Sequence, residues 1–143
     1  TSMQSGHSVA MHVRRGDYLN DPKALVKHGV ASSGYYQQAL DMLKLRVGEL
    51  HLYVFSDDAD WVKQHVVHPH ITFVSDCGFT AEQDLYLISC CQHQIISNST
   101  FSWWGAYLNQ NQNKITVAPT PWFDDQSFAQ QDILPQSWIQ LPK

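Results

Sequence analysis

The chain has 143 residues, of which 43% are hydrophobic and 15% charged, and its formal net charge is −4. This length suits one domain with a real hydrophobic core. With so few charges and no run of like charge, the composition argues against sequence-independent binding to nucleic acid or to an anionic membrane. We therefore expect any bound anion to be held locally by a few side chains.

The cysteines give a first indication of the compartment. Cys77, Cys90 and Cys91 are odd in number and lack the CxxC spacing of a zinc or redox site. We interpret them as buried, reduced thiols and expect a cytoplasmic protein. No signal peptide and no apolar run long enough to cross a bilayer is present, so we predict no transmembrane segment. Because the chain opens with TSMQSG rather than a strand, we expect residues 1–6 to be a linker or cloning remnant.

Short apolar runs closed by Ser, Asp, Asn or Pro predict five buried strands. The segments between them have the apolar spacing of helices. In chain order, the predicted strands are 8–14, 50–56, 71–75, 94–97 and 115–118, and the predicted helices are 34–47, 58–67, 80–93 and 101–112. The tail after Pro119 is rich in Pro, Gln and Trp, and we expect irregular cover there with one short helix near 125–131.

The alternation of strand and helix predicts the fold class. It favours an α/β fold with a doubly wound, mainly parallel sheet, and no linker divides residues 1–143 into more than one domain. Ligands of such sheets bind outside the carboxyl ends of the strands. The residues that follow each strand are therefore the candidates for a site, and they are 14–17, 56–58, 75–77 and 97–102.

The first strand end carries two of the chain's three arginines, in HVRRGDY. Side chains alternate along a strand, so His12 and Arg14 point to one side and Arg15 to the other. A guanidinium here suits a phosphate group, because it offers a planar array of donors and keeps its charge. Two interpretations of Asp17 stay open: it fixes an arginine near a ligand, or it forms a purely structural ion pair with Arg15.

The fourth strand runs into ISNSTFSWWGAYLNQNQN, residues 96–113. Hydroxyl and amide side chains cluster where the next helix begins, and no acidic residue follows to neutralise the positive end of its dipole. Such a helix N-terminus binds anions and makes a partner for Arg14 in holding a diphosphate. The alternative is an ordinarily capped helix that packs its aromatic residues into the core. The candidate residues are Asn98, Ser99, Thr100 and Ser102.

Two acidic positions have both a functional and a structural interpretation. Asp84 opens a helix that is apolar from Leu85 onward, and it either caps that helix or accepts the paired N–H donors of a guanine edge. The spacing of Asp58 and Asp60 is that of a metal-binding DxD, but its position at a helix start favours capping. We therefore predict no metal site.

The blocks HVRRGDY, YVFSDD and DLYLISCCQHQIISNSTFSWWGAYLN resemble the successive signature blocks of the glycosyltransferase family 11 alpha-1,2-fucosyltransferases, bacterial members in particular. The resemblance extends from about His12 to Trp122. It implies the Rossmann-like half of a GT-B type enzyme that transfers L-fucose from GDP-fucose to a galactose 2-hydroxyl of a glycan, with inversion and without a metal or other cofactor. Because family members are longer, it also implies a C-terminal GDP-fucose-binding domain whose preceding, acceptor-binding half is absent.

The resemblance implies roles for particular residues. Arg14 is expected to contact the donor's β-phosphate with His12 beside it, and Asp84 to read the guanine base. Asp17 is a candidate general base, although pairing with an arginine would make it a poor proton acceptor. The residues that match the segment around the pyrophosphate and the fucose are Ser99, Thr100, Phe101 and Ser102.

Three other interpretations compete with a complete transferase. A noncatalytic sugar-binding module would use the five tryptophans and six tyrosines, although most of them lie at helical spacing and suit a core. An oxidoreductase on the same topology would need a GxGxxG turn after the first strand, which the sequence lacks. The domain alone could also bind nucleotide and be inactive. The expected partners are GDP-fucose and a glycan acceptor, with no nucleic acid, and peripheral membrane association of the full-length enzyme is compatible with this assignment.

Overall fold

The computed structural model describes residues 7–15, 21–23, 25, 29–124 and 134–143. Six strands are delimited in this part of the chain: β1 (Ser8–Val13), β2 (His51–Ser56), β3 (Ile71–Phe73), β4 (His93–Ile95), β5 (Thr116–Thr120) and β6 (Ile139–Pro142). The helices delimited there are α1 (Ser33–Val47), α2 (Ala59–His65), α3 (Ala81–Cys90) and α4 (Thr100–Tyr107), with a short 3₁₀ helix at Val74–Cys77. Residues 1–6, Asp17 and the helix predicted near 125–131 lie outside the described residues.

The strands form one parallel sheet in the order β3-β2-β1-β4-β5-β6. The chain builds outward from β1 through β2 to β3, crosses back past β1, and continues outward from β4 to β6. This order creates a switch point between the carboxyl ends of β1 and β4, where the two connections leave in opposite directions. The predicted α/β fold with a parallel sheet is confirmed.

Both faces of the sheet are covered, because successive side chains of a strand point to opposite faces. Val9, Met11 and Val13 of β1 pack in one apolar cluster with residues of α1 and α2. Ala10 packs on the other face with Ile88 of α3. All residues of β1 are buried, as expected for the central strand of a doubly wound sheet.

Helix α1 is tied to the sheet close to the switch point. Its N-cap is Ser32, whose hydroxyl accepts from the backbone N–H of Tyr35 at 3.2 Å. The buried Tyr35 hydroxyl lies 2.6 Å from the carbonyl oxygen of Ile96 and 3.1 Å from that of Val117. This side chain therefore anchors the helix to the backbone that leaves β4, and fixes where the next segment begins.

Helices α3 and α4 pack closely against each other on one face of the sheet. A Cβ atom added to Gly105 would lie 2.5 Å from Cγ2 of Ile88 and 3.7 Å from Cδ1 of Leu85. Only a residue without a side chain fits this approach without displacing α3. The contact holds the second half of α4 against the second half of α3.

The tail differs from the prediction. We expected irregular chain after Pro119, but Ile139–Pro142 forms strand β6, paired with β5 from Val117↔Ile139 to Thr120↔Pro142. Its side chains alternate between half-buried and exposed. It is an edge strand, and the edge of a sheet is where a proline such as Pro142 is tolerated.

Helix α4 is also shorter than predicted, because it ends at Tyr107 rather than at residue 112. The ammonium group of Lys114 donates to the carbonyl oxygens of Ala106 and Asn109, at 3.0 Å each. These contacts satisfy carbonyl groups that a continuing helix would have bonded. A lysine that folds back onto the end of a helix cannot be recognised from helical spacing.

The cysteines are free thiols, but they are not all buried as we predicted. Cys91 is buried, and burial raises the pKa of its thiol to about 12. Cys90 is half-buried and Cys77 is exposed, because Cys77 lies in the 3₁₀ helix at the surface. In the described ranges of the chain, no helix combines the length and apolarity needed to cross a membrane.

Candidate functional site

A cavity of about 210 Å³ opens at the carboxyl ends of β1 and β2, beside the segment that leaves β4. The parallel register pairs Val13 with Ser56, so the residues that follow these strands emerge side by side. Helix α3 closes one wall and the first turn of α4 another. The lining residues are His12, Arg14, Phe55, Ser56, Asp57, Ala81, Asp84 and Phe101.

The guanidinium of Arg14 lies between the sheet and the start of α4. Its Nη1 donates to Oγ of Ser99 at 3.5 Å, and its Nε lies 3.9 Å from Oδ2 of Asp57. Ser99 is the N-cap of α4 and accepts from the N–H of Phe101, and the first turn of α4 contains no acidic residue. A fixed positive charge thus faces the positive end of a helix, an arrangement that attracts an anion.

His12 is held in its neutral form. Its ring is 6% exposed, with Nδ1 2.9 Å from Oγ of Ser97 and the ring of Phe101 at 5.3 Å between centroids. Burial, and then the positive charge of Arg14, lowers the pKa of His12 to about 3, although Asp57 acts in the opposite direction. The imidazole is therefore a hydrogen-bonding group rather than a second cation in the cavity.

Asp84 does not cap α3. The N-cap is Thr80, which forms a reciprocal capping box with Gln83. Oδ1 of Asp84 is buried and has no hydrogen-bond partner among the described residues, and burial raises the pKa of this carboxyl group. A buried carboxylate oxygen without a donor is costly, so this position calls for N–H or O–H groups that the described residues do not supply.

Two predicted residues lie behind the cavity wall. Asn98 and Ser102 are fully buried. The Asn98 amide donates to the carbonyl oxygens of Gly29 and Trp122, at 3.1 and 3.2 Å. Ser102 donates within the turn that opens α4. They fix the backbone of the site, whereas Thr100 is exposed at the start of the helix.

The two aspartates of the DxD spacing, Asp58 and Asp60, lie at the N-terminus of α2. Asp58 is the N-cap, and its Oδ1 accepts from the N–H of Trp61 at 3.2 Å, which confirms the capping interpretation. Asp60 lies in the first turn, where a carboxylate complements the helix dipole. Among the residues whose positions are described, no group of His, Cys, Asp or Glu has the geometry of a metal site.

Arg15 points away from the cavity, as alternation predicted. Its guanidinium lies over the ring of Trp61, 4.1 Å from the ring centroid, and its Nε is 4.0 Å from Asp58. The backbone N–H of Arg15 donates to Oδ1 of Asp57 at 2.8 Å. The sequence prediction considered only Asp17 as the acidic partner of the arginines, and it missed Asp57, although Asp57 follows directly after β2.

Two cavity residues, Phe55 and Ala81, were absent from the predicted candidates. Ser56 and Asp57 were among the strand-end candidates, but no contact with the arginines was predicted for them. A larger cavity, of about 450 Å³, lies near the amino end of β4 and is lined by the C-terminal end of α3 and by residues that follow α3 and α4. None of the predicted site residues lines that second cavity.

The strand order and the polar cavity define the class of this protein: a doubly wound α/β domain whose cavity lies at the topological switch point. The particular family follows from comparison with known proteins. The family model described as Glycosyl transferase family 11 matches residues 1–142, and the chain belongs to this family. The predicted family is thus confirmed.

The relatives differ in the sugar that their names give. Over 142 residues the chain is 39% identical to the alpha-1,2-colitosyltransferase of Escherichia coli, covering 96% of this chain and 48% of that protein. It is 37% identical to the O-antigen biosynthesis glycosyltransferase WbnK of Escherichia coli, covering 96% and 46%. With the human galactoside alpha-(1,2)-fucosyltransferase 1 the identity is 35%, covering 70% and 28%. The chain spans about half the length of the bacterial relatives.

Proposed function

We propose that this chain is the donor-binding domain of a glycosyltransferase that transfers L-fucose from GDP-fucose to the 2-hydroxyl of a galactose residue in a glycan. The observation that carries the proposal is the position of the Arg14 guanidinium, which faces the start of α4 across the switch point of the sheet. Family membership and the alpha-1,2 linkage in the relatives' names support it.

The proposed chemistry explains why positive charge is concentrated here. The galactose 2-hydroxyl oxygen forms a bond to C1 of fucose from one face, while the bond from C1 to the β-phosphate oxygen breaks on the other. Negative charge collects on the departing GDP, and the hydroxyl proton passes to a base. Arg14 and the N–H groups of α4 stabilise that charge, so the proposal requires no metal. Asp17 remains a candidate base and lies outside the described residues.

The proposal also gives Asp84 its missing partners. The N1–H and N2–H groups of guanine are parallel donors that match a carboxylate. Asp84, whose Oδ1 has no hydrogen-bond partner among the described residues, lines the cavity together with Phe101. In this proposal guanine lies against α3 and the diphosphate against Arg14.

A second donor sugar is favoured by one observation, the 39% identity to an alpha-1,2-colitosyltransferase. Colitose is L-fucose without the 3-hydroxyl group, so the same GDP site would serve both donors. Offering GDP-fucose and GDP-colitose together in one transfer assay decides between them, because mass spectrometry separates the two products. If colitose is the main sugar transferred, the donor is GDP-colitose rather than GDP-fucose, and the proposed contacts with GDP stay the same.

Titration calorimetry with GDP tests donor binding by the 143-residue chain. We expect the chain to bind GDP and Arg14→Ala to weaken binding at least about tenfold, because a charge-assisted phosphate contact is lost. Arg46→Ala is the matched control, since Arg46 lies exposed in the last turn of α1. If the chain binds free galactoside and does not bind GDP, it is a sugar-binding module instead.

Transfer is tested separately, because we propose that the acceptor site requires a further half of the enzyme. Lactose is incubated with GDP-fucose and with this 143-residue chain. A second assay uses the longest natural polypeptide that contains the chain. In both assays mass spectrometry detects fucosyl-lactose. Removing one electrostatic donor typically slows such reactions about a hundredfold to a thousandfold. Full activity of Arg14→Ala would therefore refute the proposed role of Arg14.

A further inference from the structure

Asp57 occupies a fixed position between the two arginines. The register Val13↔Ser56 places the next residues, Arg14 and Asp57, side by side, directly after the ends of neighbouring strands. One carboxylate oxygen of Asp57 accepts from the backbone N–H of Arg15 at 2.8 Å, and the other lies 3.9 Å from Nε of Arg14. Each oxygen thus has a different partner.

The backbone that carries Asp57 is held on both sides. The hydroxyl of Ser56 donates to the carbonyl oxygen of Val13 at 2.8 Å and accepts from the N–H of Asp58 at 2.9 Å. The N–H of Ser56 donates to Oγ of Ser75, and Asp58 caps α2. The carboxylate therefore belongs to a rigid junction of β1, β2 and α2.

We propose that Asp57 is the positioning residue of Arg14, an inference that rests on the proposed function. The carboxylate attracts the Nε edge of the guanidinium, which leaves the Nη edge directed to Ser99 and the start of α4. A guanidinium binds a phosphate through a planar fork, so its orientation decides how many contacts it makes. Asp57 acts on the ligand only through this orientation.

Asp57 also carries a negative charge near the proposed diphosphate, which opposes binding. That repulsion is weakened by solvent, because Asp57 is exposed, and by the intervening charge of Arg14. The orienting contact is lost completely when the carboxylate is removed. We therefore expect the loss of orientation to exceed the relief of repulsion.

The test uses Asp57→Asn, which keeps the size of the side chain and an oxygen for the N–H of Arg15. Calorimetry should show GDP binding weakened about fivefold. In the Arg14→Ala background the same change should have no further effect, and binding of GMP, which lacks the β-phosphate, should be unchanged. Asp60→Asn is the matched control, since it removes one charge from the first turn of α2.

Each outcome is decisive. Equal or tighter GDP binding by Asp57→Asn overturns the inference, and so does an equal loss in the Arg14→Ala background or with GMP. Absence of GDP binding by the wild type overturns the proposed function and this inference together. Asp57→Glu provides a second variant, because it retains the charge; it should bind GDP more tightly than Asp57→Asn, and urea unfolding verifies that both variants fold.

Discussion

At the residue scale, the site depends on side chains whose protonation is changed by their surroundings. Nothing in the sequence around His12 indicates an unusual pKa. In the folded protein, burial and the charge of Arg14 lower the pKa of His12 to about 3 and keep the ring neutral. Asp84 is half-buried, and its buried Oδ1 has no hydrogen-bond partner in the described part of the chain. Strand alternation pointed to His12 and the start of a helix to Asp84. The contacts of His12 with Ser97 and Phe101 could not be predicted, because both residues lie far along the chain, and neither could the capping of α3 by Thr80 rather than by Asp84.

The lowered pKa of His12 predicts an acid dependence of folding. As pH falls below the usual value of 6.5, the unfolded chain takes up a proton at His12 and the folded chain does not, so stability falls between about pH 6.5 and pH 3. The slope approaches about 1.4 kcal/mol per pH unit. Urea unfolding at pH 7, 6 and 5 should show a shallower decline for His12→Gln than for the wild type. Parallel curves would show that His12 titrates normally.

Asp84→Asn should abolish the discrimination between guanine and hypoxanthine. The wild type is expected to bind GDP about tenfold more tightly than inosine diphosphate, which lacks the 2-amino donor, because a buried acceptor is then left unpaired. The variant should bind both ligands equally in calorimetry. If it kept the preference of the wild type, Asp84 would not read the base.

The same variant should unfold at higher urea concentration than the wild type at pH 7. The raised pKa means that the folded state holds its proton to higher pH than the unfolded state, so the charged carboxyl group destabilises the fold above that pKa. An amide removes this charge. Lower stability of Asp84→Asn would indicate a donor to the carboxylate within the protein itself.

At the element scale, the N-terminus of α4 carries the proposal, and its cap can be tested against a matched one. Ser99 caps α4 and Thr80 caps α3. Ser99→Ala and Thr80→Ala should each lower the free energy of unfolding by about 1 kcal/mol. Only Ser99→Ala should also weaken GDP binding in calorimetry, because only Ser99 contacts Arg14. If the two variants bind GDP with equal affinity, the N-terminus of α4 does not contribute to GDP binding.

The elements themselves were largely predictable, and the exceptions have physical reasons. Strands β1 and β2 are long apolar runs because both faces are buried. Strand β6 was missed because Ile139–Pro142 is short, half-exposed and contains proline, so its pairing with β5 is decided by tertiary contact. The early end of α4 was missed because Lys114 caps it from beyond the helix.

At the scale of the whole molecule, the site is a consequence of strand order. The order β3-β2-β1-β4-β5-β6 brings the end of β1 next to the end of β4, although Arg14 and Ser99 are 85 residues apart. From the sequence we expected Arg14 and the start of the helix after the fourth strand to hold one ligand, because both follow strand ends and carry suitable groups, but the strand order was not predicted. The sequence could not predict the sugar either, since relatives named for colitose and for fucose both match the chain.

The most direct test of the central claim is a crystal structure of this chain with GDP. We expect the β-phosphate within hydrogen-bond distance, about 3 Å, of the Arg14 guanidinium and of N–H groups in the first turn of α4, with guanine against Asp84. GDP bound in the cavity near the amino end of β4, or held at the switch point with Arg14 turned away from its phosphates, would contradict this expectation.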